Sequence, residues 1–310
     1  MRHQLEYLAV KSVDSAVRPL PLSAVRRLGE RLGLAFYVAD RVHRRIAIAN
    51  LEAAFPARTS DDREAIAKAM FKHFGRLLLE LLKYSSLSND EKLAAVDFEG
   101  EDRVRLAYAQ RKGILFCTGH FGFWEQQALA HALKFEPMAV MARPLDNPKL
   151  HDLLERIRVS DGNAVLYRRG AVRKALRLLA EGRGVGILID QHMTSPDAIN
   201  VDFFGRPAAT TSTLAALAIR TGAPVIPLFA LPLPGGRYRM IYEPPVEPPG
   251  EDSPDAVREF TQRCTDVLEM HVRRHPELWL WMHRRWRGTP SEAAPGMFPS
   301  AAEEIGDQPD

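Results

Sequence analysis

The chain has 310 residues, 46% hydrophobic and 26% charged, with a net charge of +3. That composition is ordinary for a soluble globular protein, long enough for one large domain or two small ones. Its two cysteines, Cys117 and Cys264, rule out a disulfide framework and lack metal-ligand spacing, so a reducing compartment is expected.

The charge is unevenly spread. Residues 1–50 hold nine Lys/Arg against four acids, a larger excess than that of the whole chain. No secretory signal is expected, because the start lacks a continuous apolar stretch and a small-residue cleavage site. The uncharged run LGLAFYVA at 32–39 is far short of the roughly 20 residues a membrane span needs. Two readings of this basic, amphipathic segment stay open: a helix lying in a membrane interface, or a surface helix packed on the domain.

Residues 1 to about 85 read as helical. Leu28, Leu32, Ala35, Ala39, Val42 and Ile46 recur at three- and four-residue steps, and MFKHFGRLLLELLKY at 70–84 forms a second stripe. Between them Pro56 stops one helix, and Ser60 followed by acids starts the next. From about residue 113 short apolar runs alternate with helical patterns. The runs are GILFCT (113–118), PMAVMA (137–142), NAVLY (163–167), GVGILID (184–190), APVIPLFAL (223–231) and YRMIYE (238–243). This alternation predicts βαβ units and an α/β fold, with a mostly parallel central sheet flanked by helices and a helical N-terminal region. A further helix is expected at about 253–274. The expected organisation is a helical region at 1–85, a core at 86–287, and a disordered tail at 288–310 with five acids and no Lys/Arg.

The stretch CTGHFGFWEQ at 117–126 carries the chemistry. It places His120 in the turn beyond a strand's carboxyl end, the edge where open α/β sheets bind ligands. Glu125 falls in the first turn of the following helix, from which its carboxylate can reach back to the imidazole. Gly119 and Gly122 permit a tight turn between them. A histidine held by an acid suits removal of a proton from a hydroxyl. The other reading of the same residues is a surface histidine followed by an acid that complements the helix N-terminus. There is no G-x-S-x-G elbow, no H-E-x-x-H zinc helix and no Gly-rich phosphate fingerprint, and Cys117 reads as a core residue inside an apolar strand.

Several ordered blocks extend the pattern: GHFGFWE, MARPLDNPKL, RIRVSDG, LIDQ, VDFFGRPAATTSTLAALAIRTGAPVIPLF, WLWMHRRW and, earlier, RRIAIANLEAAFP. Together, over about residues 5–287, they resemble the bacterial lipid A biosynthesis acyltransferases, the late lauroyl/myristoyl transferases of the lysophospholipid acyltransferase superfamily. The resemblance implies a glycerolipid-acyltransferase-like αβα fold. It also implies a catalytic dyad of His120 and Glu125, with His120 as general base and no covalent acyl-enzyme. The implied reaction moves a fatty acyl chain from a thioester, acyl carrier protein or acyl-CoA, to a hydroxyl of a membrane lipid. No metal or tightly bound cofactor is implied.

By the same resemblance Arg143 and Arg158 stand near the dyad, Asn147 shapes the turn after Arg143, and Asp190 has a site role at the end of its strand. Arg168 and Arg169 face either phosphates or water. Two departures stand out: Phe123 where many members have asparagine, and a basic amphipathic N-terminal segment where many have a clearer hydrophobic anchor. FFGRPA stands where glycerolipid relatives have a proline–glutamate–glycine block, which points away from glycerol-3-phosphate. The implied location is peripheral, on the cytoplasmic face of the inner membrane. A nucleic-acid partner is not expected, since the basic residues are spread over separate segments. The alternatives are a thioesterase using the same dyad, a transferase for phosphatidylinositol mannosides or another lipid, and a non-catalytic lipid-binding protein.

Overall fold

The computed structural model describes residues 1–167, 170–195, 198–250 and 253–287. The expected tail at 288–310 and the pair Arg168 and Arg169 lie outside the described residues.

The chain opens with α1 (Arg2–Val17), α2 (Leu22–Ala39), α3 (Arg41–Ala54), α4 (Ser60–Tyr84) and the short α5 (Asn89–Ala94). The starts follow the side chains that serve the free helical N–H groups. Asp40 accepts from His43 N at the head of α3, and Thr59 and Asp62 form a reciprocal box at the head of α4. The apolar stripe through 28–46 is therefore broken at Asp40 into two helices.

It is also turned. The face that α2 buries is Val25, Gly29, Gly33 and Tyr37, packed backbone-to-backbone on α4. A Cβ added at Gly33 would lie 2.0 Å from Phe71 O, and one at Gly75 would lie 2.4 Å from Gly29 O. Small residues are what let two helices approach this closely. Leu28 and Val42 of the apolar stripe are 45% and 58% exposed, while Ile46 is buried. Helix was the right reading of this stretch, but only part of its apolar stripe is covered.

The core then runs β1 (Val96–Glu99), α6 (Glu101–Ala109), β2 (Ile114–Thr118), α7 (Trp124–Lys134), β3 (Ala139–Ala142), α8 (Pro148–Arg158), β4 (Ala164–Tyr167), α9 (Ala171–Ala180) and β5 (Gly184–Leu188). A two-stranded antiparallel hairpin follows, β6 (Ala198–Asp202) with β7 (Pro207–Thr211), then α10 (Thr213–Thr221), β8 (Val225–Pro232), β9 (Tyr238–Tyr242) and α11 (Pro254–Arg274). The main sheet has seven strands in the order β1-β9-β8-β2-β5-β3-β4, parallel throughout except for β8 against β9. All six predicted strands are present, and the expected α/β architecture with a helical N-terminal region is the one observed. The strand VDFE and the β6–β7 hairpin are additions to that reading.

One hydrophobic cluster runs from the helices into the sheet, joining Leu51, Met70 and Phe71 to Cys117, Phe121, Ile187, Trp279 and Trp281. Both cysteines are buried and free. Asn50 on α3 donates to the carbonyls of Trp281 and His283, each at 2.8 Å, and so fastens the segment after α11 to the N-terminal helices.

Candidate active site

The site follows from strand register. Parallel β2 and β5 are neighbours, with Thr118 opposite Leu188. His120 and Asp190 each lie two residues beyond that pair, at the carboxyl edge of the sheet, and so meet side by side. His120 Nδ1 is 2.9 Å from Asp190 Oδ1, and the His120 backbone N–H donates to Asp190 Oδ2 at 2.7 Å. Trp279 Nε1 donates to the same Oδ2 at 2.8 Å. Asp190 is buried. Burial alone would raise its pKa, but the His120 charge and these donors outweigh it and hold the carboxyl down at about 2.

With Nδ1–H committed to Asp190, the lone pair of His120 sits on Nε2. That atom has Gln191 Nε2 at 3.4 Å and lies at a cleft of about 1090 Å³. Held this way the imidazole is set to take a proton from a hydroxyl placed there. Trp124 stacks obliquely beside it, with ring centroids 5.3 Å apart.

The turn that carries His120 is fixed from several sides. Gly122 N donates to Leu278 O at 2.9 Å, Phe123 N to Ala230 O at 2.9 Å, and Leu280 N to His120 O at 3.1 Å. Gly122 has φ +57, and a Cβ there would lie 2.0 Å from Ala230 O, so only glycine fits. The buried His73 of α4 lies 3.3 Å from Gly122 O, its pKa pushed down to about 3 by burial. It is neutral and donates to that carbonyl.

Glu125 does not reach back to the imidazole. It is clasped by Arg158 from the last turn of α8, Nε to Oε2 at 2.8 Å and Nη2 to Oε1 at 2.5 Å, and it accepts from Trp124 Nε1 at 3.2 Å. A guanidinium that presents two parallel N–H groups is a stronger partner than an imidazole already bonded elsewhere. For Arg158 burial opposes the charge, yet the Glu125 contact outweighs it and keeps its pKa above the usual arginine value. His120, Glu125 and Arg158 all line the one cleft.

Arg143 stands on the exposed rim of the cleft, paired with Asp146 at 3.1 Å. Asn147, expected to shape the turn after Arg143, is a buried helix cap. Its Oδ1 accepts from Lys149 N and Leu150 N, and its Nδ2 donates to His3 O and Glu6 Oε2. That fills the bonding capacity of the side chain. Arg169 lies outside the described residues.

Sequence reading did not single out Trp279, Gln191 or His283. His283 lines the cleft and accepts from His192 N at 2.8 Å, while burial lowers its pKa to about 4 and keeps it neutral. The first two stand in LIDQ and WLWMHRRW, blocks that give no local signal of which side chain points at His120. Among the described residues no group of three or more His, Cys, Asp or Glu is placed to hold a metal ion.

The Glu125–Arg158 pair is testable by itself. Glu125→Gln leaves a largely buried guanidinium without its counter-charge, so thermal or urea unfolding should show a loss of about 3 kcal/mol. The acid limb of the pH–rate profile should stay in place. A moved limb with unchanged stability would instead assign Glu125 to the imidazole.

A histidine held by a buried carboxylate at the sheet edge, over an open cleft with arginines on its walls, suits an enzyme that takes a proton from a hydroxyl or from water. Comparison with known proteins supplies the class of reaction. Residues 2–288 match the family model for bacterial lipid A biosynthesis acyltransferase. The chain is 27% identical over 300 residues to the lipid A biosynthesis lauroyltransferase of Escherichia coli (strain K12), covering 96% of this chain and 95% of the relative. It is 25% identical over 273 residues to the palmitoleoyltransferase of the same organism, covering 87% of each. Against the phosphatidylinositol mannoside acyltransferase of Mycolicibacterium smegmatis (strain ATCC 700084 / mc(2)155) it is 24% identical over 235 residues, 74% of each. The chain belongs to the bacterial lipid A biosynthesis acyltransferase family, and it is a transferase of acyl groups.

Proposed function

We propose that this enzyme moves a fatty acyl chain from a thioester donor, acyl carrier protein or acyl-CoA, to a hydroxyl of a membrane glycolipid of the lipid A type. The observation that carries the reading is the orientation of His120, with Nδ1 on the buried Asp190 and Nε2 toward the cleft. The acceptor hydroxyl loses its proton to Nε2 as its oxygen attacks the thioester carbonyl. The tetrahedral intermediate then collapses, the C–S bond breaks, and the thiolate takes the proton back from the imidazolium. Arg143, Arg284 and Arg287 on the cleft walls suit a phosphorylated acceptor or carrier. Glu125 and Arg158 form the wall on which the acceptor rests, and Arg169 is assigned to the acceptor phosphates.

We place the protein peripherally on the cytoplasmic face of the inner membrane. Among the described residues no helix is long and apolar enough to cross a bilayer. The outward Leu34, Phe36 and Val38 of α2, set among Arg27, Arg31 and Arg41, fit an interfacial helix on an anionic leaflet. Relatives named for lauroyl, palmitoleoyl and mannoside-lipid transfer lie at similar identity, so acyl length and acceptor are left to experiment.

The test is to incubate the purified protein with radiolabelled acyl carrier protein and a membrane lipid extract and follow the label. Label in a lipid band supports the transferase, and mass spectrometry of that band names the acceptor, a phosphatidylinositol mannoside included. Label released only as free fatty acid overturns it in favour of a thioesterase.

A further inference from the structure

We propose that the apolar groove between α2 and α4 receives an acyl chain of the acceptor lipid, admitted sideways from the bilayer while the lipid's head lies at His120. The inference rests on the transferase reading above and adds a chain-binding site and a direction of entry.

The groove exists because α2 and α4 meet through glycine. Where Gly33 and Gly75 bring the two backbones together, Phe36 and Phe74 flank a furrow of about 460 Å³, with Leu78 on its edge. Its floor is hydrocarbon, and its mouth is open to the outside. Phe36 and Leu78, 50% and 46% exposed, form an apolar lip at that mouth. Exposed apolar surface of this kind marks an interaction site. Asp40 and His43, paired with each other at 2.7 Å, stand on the rim.

The inner end of the groove is the active site. His43, Gln191, Met282 and His283 line both the groove and the catalytic cleft. Gln191 Nε2 is 3.4 Å from His120 Nε2. A chain lying in the groove therefore has its polar end beside the base.

The occupant is the acceptor's chain because the two substrates arrive from different solvents. A thioester donor comes on a water-soluble carrier, and its chain enters by the cleft mouth, past Arg143 and Arg287. The acceptor is still anchored in the membrane. Only an apolar entrance on the bilayer-facing surface lets its chain reach the site without crossing water.

The experiment uses the full-length protein bound to phosphatidylethanolamine/phosphatidylglycerol vesicles that contain a phospholipid with a diazirine near the end of one acyl chain. Irradiation followed by peptide mass spectrometry should place cross-links at Phe71 and Phe74, which line the groove away from the catalytic cleft. Leu78→Trp, a change at an exposed edge, should cut those cross-links and the transfer to membrane lipid about tenfold, with vesicle binding unchanged. Cross-links confined to Val38, Leu34 and α1, in a preparation that transfers acyl groups to lipid, would overturn the inference. So would labelling of Phe74 by a diazirine chain delivered on acyl carrier protein, which would give the groove to the donor. A wild-type protein that cross-links in the groove but never transfers to lipid would overturn the transferase reading and keep the lipid chain where we place it.

Discussion

His120→Ala should lower acyl transfer by at least the ~10²–10⁴-fold that positioned proton transfer supplies, with a modest loss of stability and the fold intact. The catalytic loss follows from the proposed mechanism, in which Nε2 takes the acceptor's proton. The fold survives because of what remains. Asp190 keeps the backbone N–H of residue 120 and the indole N–H of Trp279, so the buried carboxylate loses one donor of three, a change of about 1.5–3 kcal/mol. Single-turnover transfer from a labelled thioester, with circular dichroism as the fold control, decides the matter. A variant that keeps the wild-type rate would take His120 out of the chemistry.

Asp190→Asn should be nearly as damaging to activity, and for a different reason. All three contacts on Asp190 come from donors: His120 N, His120 Nδ1 and Trp279 Nε1. An asparagine must turn its NH₂ toward one side. If it faces Nδ1, the imidazole flips to the tautomer protonated on Nε2, and the base is lost. If it faces the other two, two N–H groups are left opposing a donor. A fall of ~10²–10⁴-fold in rate is expected, read by the same single-turnover transfer.

Stability carries a second signature. Burial works against the carboxylate, yet its partners hold it at about 2, against 3.8 for the free group. Lowered in this direction, it contributes roughly 2 kcal/mol above pH 4, and that contribution fades as the pH falls from about 4 through 2. The stability gap between wild type and variant should be full at neutral pH and close over that acid window. A gap that stays constant below pH 4 would mean the carboxylate is not held as described.

What the sequence disclosed and what it withheld divide along a physical line. The six apolar runs become strands because their length and their spacing between helical segments leave few other options. β1 escapes because VDFE is too short to show a period, and the β6–β7 hairpin because the alternation in AINVD is equally short and PAATT has no large apolar side chain. In the site, His120 and its turn were legible because glycines and a strand end are local features. Its partner was not. Glu125 is five residues away and looked the better candidate, whereas Asp190 is adjacent only through the pairing of β2 with β5, which no local pattern encodes. The N-terminal helices teach a related lesson. Hydrophobic periodicity tells that α2 is a helix but not which apolar surface is covered, and the clue that it packs by its small face was Gly29 and Gly33 one turn apart, with Gly75 waiting on α4.

The backbone bonds that join Leu278 and Leu280 to the histidine turn, with the Trp279 indole on Asp190, have a consequence for the timing of synthesis. The ribosome makes His120 long before it makes residue 279, so a chain stopped upstream of Trp279 holds the whole GHFGFWE motif without the Leu278 and Leu280 bonds to its turn and without one of the three donors on Asp190.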